Sequence, residues 1–182
     1  GKAIQAAGGY SFVSCSDEAI EQSLIRMEDY PIVDLILGAE KAMLNEKMQQ
    51  RIVDYTRQGG NLLVSGSYIG SILPTSLSNN VLKFSHGGSM WGVTTGNVSG
   101  ANTTFTFPTQ VNEKSYAVPA PDCLLPTAGA YSTFVYTPGN YGAGIAYKGT
   151  DFRTFVLGFP FESIDNAQHR SRIMKAALDL FK

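Results

Sequence analysis

Apolar and polar positions along the chain follow two different periods, and the places where the period changes predict the elements. Lys2 to Ala7 reads as the end of a helix, because Gly8 and Gly9 supply the left-handed backbone that closes one. Tyr10 to Cys15 is a short apolar run of strand type, and Ser16 or Asp17 caps a following helix with Ile20, Leu24 and Met27 on its inner face. Pro31 to Leu37 (PIVDLIL) is nearly all apolar and β-branched, the pattern of a strand covered on both faces, and Gly38 ends it. It is the expected central strand. The helix from Asn45 to Gln58 places Leu44, Met48, Ile52 and Tyr55 in one stripe and stops at Gly59-Gly60. Asn61 to Ser65 then forms a second buried strand.

Strands alternating with helices at this spacing require parallel neighbours joined by crossover helices. From Ser71 to Pro126 the pattern dissolves into Gly, Ser, Thr, Asn and Pro with isolated apolar residues such as Val81, Leu82, Phe84, Trp91, Phe105 and Phe107, which reads as a loop-rich insertion. Ser132 to Tyr136, Gly142 to Tyr147 and Phe152 to Phe159 then return to strand character across turn signals, as an antiparallel meander. A closing helix, about Asn166 to Phe181, buries Ile173, Met174, Ala177, Leu178 and Phe181. The expected fold class is therefore α/β, a doubly wound, mostly parallel sheet with antiparallel C-terminal strands and helices on both faces. Such folds begin with a central strand before the first helix, and this chain begins inside that helix. The expectation is a fragment of a larger protein whose first strand lies upstream, with either direct pairing of the strands at Phe12 and Val33 or a neighbouring molecule or another segment between them.

Composition narrows the function. A chain of 182 residues with 43% hydrophobic residues supports one core and one domain, residues 1–182. Its 14 basic and 15 acidic residues form no long run of either sign, which argues against nucleic acid as a partner, and no apolar stretch is long enough for membrane insertion. Cys15 and Cys123 are too few for a disulfide framework or a zinc site, and His86 and His169 are too far apart in sequence to suggest a metal centre. No cofactor and no metal are expected. Asn97 and Asn102 stand in glycosylation-type sequons that arise readily in Ser/Thr-rich sequence.

Three stretches, YPIVDLILGAE, MQQRIVDYTRQGGNLLVSGSYIG and YGAGIAYKGTDFRTFVLGFPFESI, together resemble the class I glutamine amidotransferase-like (flavodoxin-like) fold, including noncatalytic relatives in trimerisation domains of some β-galactosidases. AAGGYSFVSCSDEAIE, VDLILGAEK, GGNLLVSGSYIGSIL and VLGFPFESI are similar to an uncharacterised domain of multidomain bacterial envelope proteins, labelled xanthan lyase-like or N-acetylmuramoyl-alanine amidase-like. The resemblance implies a secreted or cell-envelope location. Its glutaminase chemistry needs a cysteine at the turn after NLLVS and a histidine after a later strand. Laid over this chain, the nucleophile falls at Gly66, or at Ser67 with a slip of one, and the histidine motif falls on Phe159 to Glu162, where only the Glu162 carboxylate is retained. No catalytic residue is assigned. Cys15 near a helix start and Ser67 without flanking elbow glycines are the weaker nucleophile candidates.

What the topology still defines is a place, the carboxyl edge of the parallel strands, where ligands of open α/β sheets bind. That edge should carry Ser14 to Asp17, Gly38 to Glu40, Gly66 to Tyr68 and Phe159 to Glu162. The candidate ligand-edge residues are Asp17, Gly38, Glu40, Gly66, Ser67, Tyr68, Phe159 and Glu162, with Tyr68, Phe159 and Phe161 as a platform for a sugar ring or another domain. The expected role is a noncatalytic binding or scaffold module whose partner is a glycan or a sister domain. The alternative is a polysaccharide hydrolase or lyase using Asp17, Glu40 or Glu162. The sequence leaves the oligomeric state open.

Overall fold

The computed structural model describes residues 1–98, 104–108, 110, 116–137 and 139–182, with only the backbone of 97 and 98. The Asn102 sequon and the Asn97 side chain lie outside the described residues. Helix α1 (Lys2–Ala7) and the one-turn α2 (Asp17–Glu21) lead through a 3₁₀ turn (Met27–Asp29) to β1 (Ile32–Gly38), α3 (Glu46–Arg57) and β2 (Asn61–Gly66). Short helices α4 (Ile69–Ile72) and α5 (Thr75–Asn80) follow, then β3 (Phe84–Ser89), β4 (Thr95–Val98), β5 (Thr104–Thr106) and β6 (Asp122–Pro126). The chain closes with β7 (Ala130–Tyr136), β8 (Tyr141–Lys148), β9 (Arg153–Leu157), a 3₁₀ turn (Phe161–Ser163) and α6 (Ala167–Leu180).

The two long helices form where the pattern and the caps agree. In α3 the Asn45 side chain accepts from the Met48 N–H at 2.9 Å, and Met48, Ile52 and Tyr55 are buried on one stripe, each worth about 1.5–3 kcal/mol of transfer free energy. In α6 Asn166 accepts from the Gln168 and His169 N–H groups at 2.8 and 3.2 Å, and Ile173, Met174, Ala177 and Leu178 face inward.

The strands join in the order β1-β2-β9-β8-β7-β4-β5, with β3 and β6 forming a separate antiparallel pair. Only β1 with β2 and β2 with β9 are parallel; the four further ladders of the large sheet are antiparallel. The doubly wound, mostly parallel expectation is therefore corrected to a mixed seven-stranded sheet. Its antiparallel half curls around an aromatic core, in which Phe105 stacks on Phe159 (centroids 4.6 Å, 14°) and meets Phe134 edge-on at 5.8 Å. The sheet curls because residues expected to lie in an insertion are structural: β4 and β5 extend the main sheet, and Phe105, Phe107 and Val118 belong to its core. On this side of the sheet α1 packs against α6. The opposite cluster joins Met48, Ile52 and Tyr55 of α3 with Ile69, Ile72, Leu77, Leu82 and Phe84.

Two further expectations are corrected. Tyr10 to Cys15 is not a strand: among the described residues no strand lies beside it to complete a ladder and no backbone hydrogen bond joins it to another segment, and Phe12, Val13 and Cys15 face solvent. The segment at Val33 is not central. It is β1, the edge of the sheet among the described residues, with β2 as its described neighbour.

Candidate functional site

The carboxyl ends of β1 and β2 lie side by side. Gly38 pairs with Gly66, and the Ser67 N–H donates to the Gly38 carbonyl at 2.8 Å. The chain then turns sharply into α4 through Tyr68, which holds left-handed backbone (φ 62°, ψ 9°). Tyr68 is thus the residue at the turn from strand into helix. Ser67 is fully buried and its hydroxyl has no hydrogen-bond partner. Tyr68 is partly covered, with the Lys41 ammonium 5.0 Å above its ring.

Glu162, on the 3₁₀ turn beyond β9, closes over this edge. The Tyr116 hydroxyl donates to its Oε1, and the same hydroxyl stands 3.3 Å from where a Cβ on Gly38 would lie. A side chain at position 38 would thus push into the contact, besides needing the positive φ of 58° that Gly38 adopts. Burial first, then the hydrogen bond and the charge of Glu162, push the Tyr116 hydroxyl pKa well above its ordinary range. Asp34, on β1, feels the same carboxylate. Burial chiefly raises its pKa to about 6, the Glu162 charge adds to this, and the N-terminal ammonium opposes it.

The other carboxylates do not join this pair. Glu40 is exposed and folds back on its own loop, where its Oε1 accepts from the N–H groups of Ala42 and Lys41 at 2.8 and 2.7 Å; these bonds lower its pKa. Asp17 is the exposed first residue of α2. Phe159 and Phe161 are buried in the core and offer no platform. Among the described residues no group of three or more His, Cys, Asp or Glu is arranged to hold a metal.

A second polar cluster lies behind α4. Asp122 is fully buried; it accepts from the Gly70 N–H at 2.7 Å, and His86 Nε2 stands 3.3 Å away. Burial raises the Asp122 pKa, against the opposing pull of Gly70, His86 and Ser89. A Cβ on Gly70 would strike the His86 ring. Cys123 is buried, Cys15 is exposed, and both are free; among the described residues no hydrogen bond joins a cysteine to a histidine. His169 sits half-buried in the first turn of α6, and its role there is the capped N–H.

The segment carrying Tyr116 also forms the outer wall of the edge. The Met90 N–H donates to Pro121 and the Gly92 N–H to Pro119, so Trp91 is fixed to this cover, with 70% of its surface in solvent. Two surface clefts, about 320 and 570 Å³, lie elsewhere, the first lined by Glu28, Tyr30 and Gln58 and the second by Glu46, Gln50, Pro74 and Phe152. Sequence reasoning missed Asp34, which hid inside an apolar run, and Tyr116 and Trp91, which hid in the supposed insertion.

No family model matches the chain, and no curated protein sequence matches it. Solved structures do share its fold. A β-galactosidase from the Antarctic haloarchaeon Halorubrum lacusprofundi superposes with a TM-score of 0.59 at 16% identity, covering 85% of this chain and 22% of that enzyme. The mmIFT52 N-terminal domain gives 0.62 at 14% identity, covering 97% of this chain and 86% of that domain. A thua-like protein from Bacteroides uniformis gives 0.52 at 9% identity, covering 85% and 70%. The chain thus spans about a fifth of the β-galactosidase. These matches overturn the glutamine amidotransferase-like, flavodoxin-like assignment: the fold is a curled mixed sheet shared with glycosidase domains, mmIFT52 and thua-like proteins. Identities this low establish fold and leave function to the site. Among the described residues no helix is long and apolar enough to cross a membrane.

Proposed function

We propose that this chain is a noncatalytic, glycan-associated binding or scaffold module of a larger secreted or cell-envelope protein. The observation that carries the reading is the closure of the carboxyl edge: Tyr116 engages Glu162 over Gly38, and the elbow residue, Tyr68, lacks the nucleophilic character of a thiol or an activated hydroxyl. The fold's occurrence within β-galactosidases supports a glycan setting. Recognition is assigned to the cover, where Trp91 offers a flat aromatic face of the kind that stacks on a sugar ring. A glycan array tests this. Wild type should retain a defined set of polysaccharides, Trp91→Ala should lose them, and Glu162→Ala should weaken retention by loosening the cover. Retention of none, or retention indifferent to both substitutions, rejects the reading.

A second reading has one observation in its favour. The buried Asp34, whose pKa burial raises to about 6, feels the charge of Glu162, and a pair of carboxyl groups with one held protonated is what a glycoside hydrolase employs. It predicts glycan cleavage that Asp34→Asn abolishes.

A further inference from the structure

The larger surface cleft, about 570 Å³, falls in the size range of small-molecule sites, and all of its lining but Phe152 comes from α3, α5 and the residues that cap α5. Half-buried Val53 and buried Leu77 and Val81 give it an apolar floor. The polar ends above that floor are anchored. The Gln49 side-chain nitrogen donates to the Leu44 carbonyl and that of Gln50 to Asp54 Oδ1 at 2.8 Å, so each amide is held through its nitrogen and offers its carbonyl oxygen as an acceptor. Glu46 in the first turn of α3 and Arg57 in its last both line the cleft, which therefore runs roughly 16 Å along the helix at its rise per residue.

Phe152 closes one side as a preset wall. Its ring packs on Tyr147 (centroids 5.3 Å, 49°), and the Lys83 ammonium stands 4.9 Å from the Tyr147 centroid and 5.8 Å from that of Phe152. Lys83 reaches there from left-handed backbone (φ 64°), a strained conformation for a lysine. Neither Tyr147 nor Lys83 lines the cleft, so the two brace Phe152 from behind.

We propose, building on the glycan reading above, that this cleft is a second sugar subsite, which takes a neutral oligosaccharide of hexose type. A hexose carries an apolar C–H face and a rim of hydroxyls. The face matches Phe152 and the floor, and the hydroxyls match the glutamine carbonyls and the Arg57 guanidinium. The elongated shape suits a chain of rings. Glu46 and Arg57 balance, which leaves no excess positive charge to hold an acidic sugar, and the helical walls offer no strand edge to an extended peptide.

Hexamers of glucose, galactose, mannose and N-acetylglucosamine, with hexagalacturonate as the acidic counterpart, test this when titrated into the isotope-labelled chain and followed by amide NMR. At least one neutral hexamer should saturably shift the Gln49 and Gln50 side-chain amides and the Leu77 backbone amide. Phe152→Ala should weaken that binding about tenfold, and Gln50→Ala, at an exposed position of α3, about threefold, while Trp91→Ala leaves it unchanged. Cleft shifts with the Trp91 indole unmoved support the subsite and remove recognition from the cover. Shifts confined to Trp91 overturn the subsite and leave the cover standing. A cleft that answers to no neutral hexamer, or to hexagalacturonate alone, or whose binding both Phe152→Ala and Gln50→Ala leave intact, also overturns it.

Discussion

Asp34→Asn should make the protein more stable at neutral pH, and the gain should depend on pH in a definite direction. The wild-type carboxyl titrates near 3.8 when unfolded and at about 6 when folded, chiefly because burial disfavours its charge. The folded state therefore holds this proton more tightly. Below the unfolded pKa the group is protonated in both states and costs nothing; as pH rises through the folded pKa, stability is progressively lost. At about 1.4 kcal/mol per tenfold difference in proton affinity, the full loss above pH 7 is on the order of 3 kcal/mol. The amide keeps the side chain's shape and has no charge to bury, so the variant should recover about 1–3 kcal/mol at pH 7.5 and almost nothing at pH 4. Urea unfolding of both proteins between these pH values reads the difference directly, with other titrating groups cancelling. A variant equally or less stable at pH 7.5, or a difference flat with pH, refutes the burial argument.

Other perturbations follow from the same contacts. Gly70→Ala should destabilise by about 2 kcal/mol or more, since the methyl collides with His86 and strains the Gly70 to Asp122 hydrogen bond; chemical denaturation checks it. Asp122→Ala should cost about 1–3 kcal/mol, because the part-buried Gly70 N–H loses its acceptor. Phe105→Ala should cost about 3–5 kcal/mol and lower the melting temperature sharply, as it removes the centre of the aromatic core. Asn166→Ala should cost about 1 kcal/mol by uncapping α6.

What was legible in the sequence had local causes. Helices α3 and α6 announced themselves through stripe, cap and stop within a dozen residues, and the meander β7-β8-β9 through alternating apolar positions across turn residues. The illegible parts depend on partners far along the chain. Among the described residues Tyr10 to Cys15 has strand-like residues and no strand to pair with, and Pro31 to Leu37 carries a central strand's pattern at an edge, because composition records what a strand tolerates and not what lies beside it. At the site, Gly38, Gly66 and Ser67 do meet, as the strand ends required. Asp17 and Glu40 end on exposed local structure instead, and Glu162 is claimed by Tyr116, 46 residues away, from a stretch with no periodicity to mark it. Asp34 was overlooked because a single polar residue in an apolar strand does not alter the period.

The central claim is that the Trp91-bearing cover, over the edge that Tyr116 and Glu162 close, holds a glycan without cutting it. Incubating the protein with the polysaccharides it retains and counting new reducing ends tests this most directly. The account predicts a count equal to that of polysaccharide alone, for wild type and Glu162→Gln alike. Reducing ends that accumulate with wild type and vanish with Glu162→Gln would contradict it.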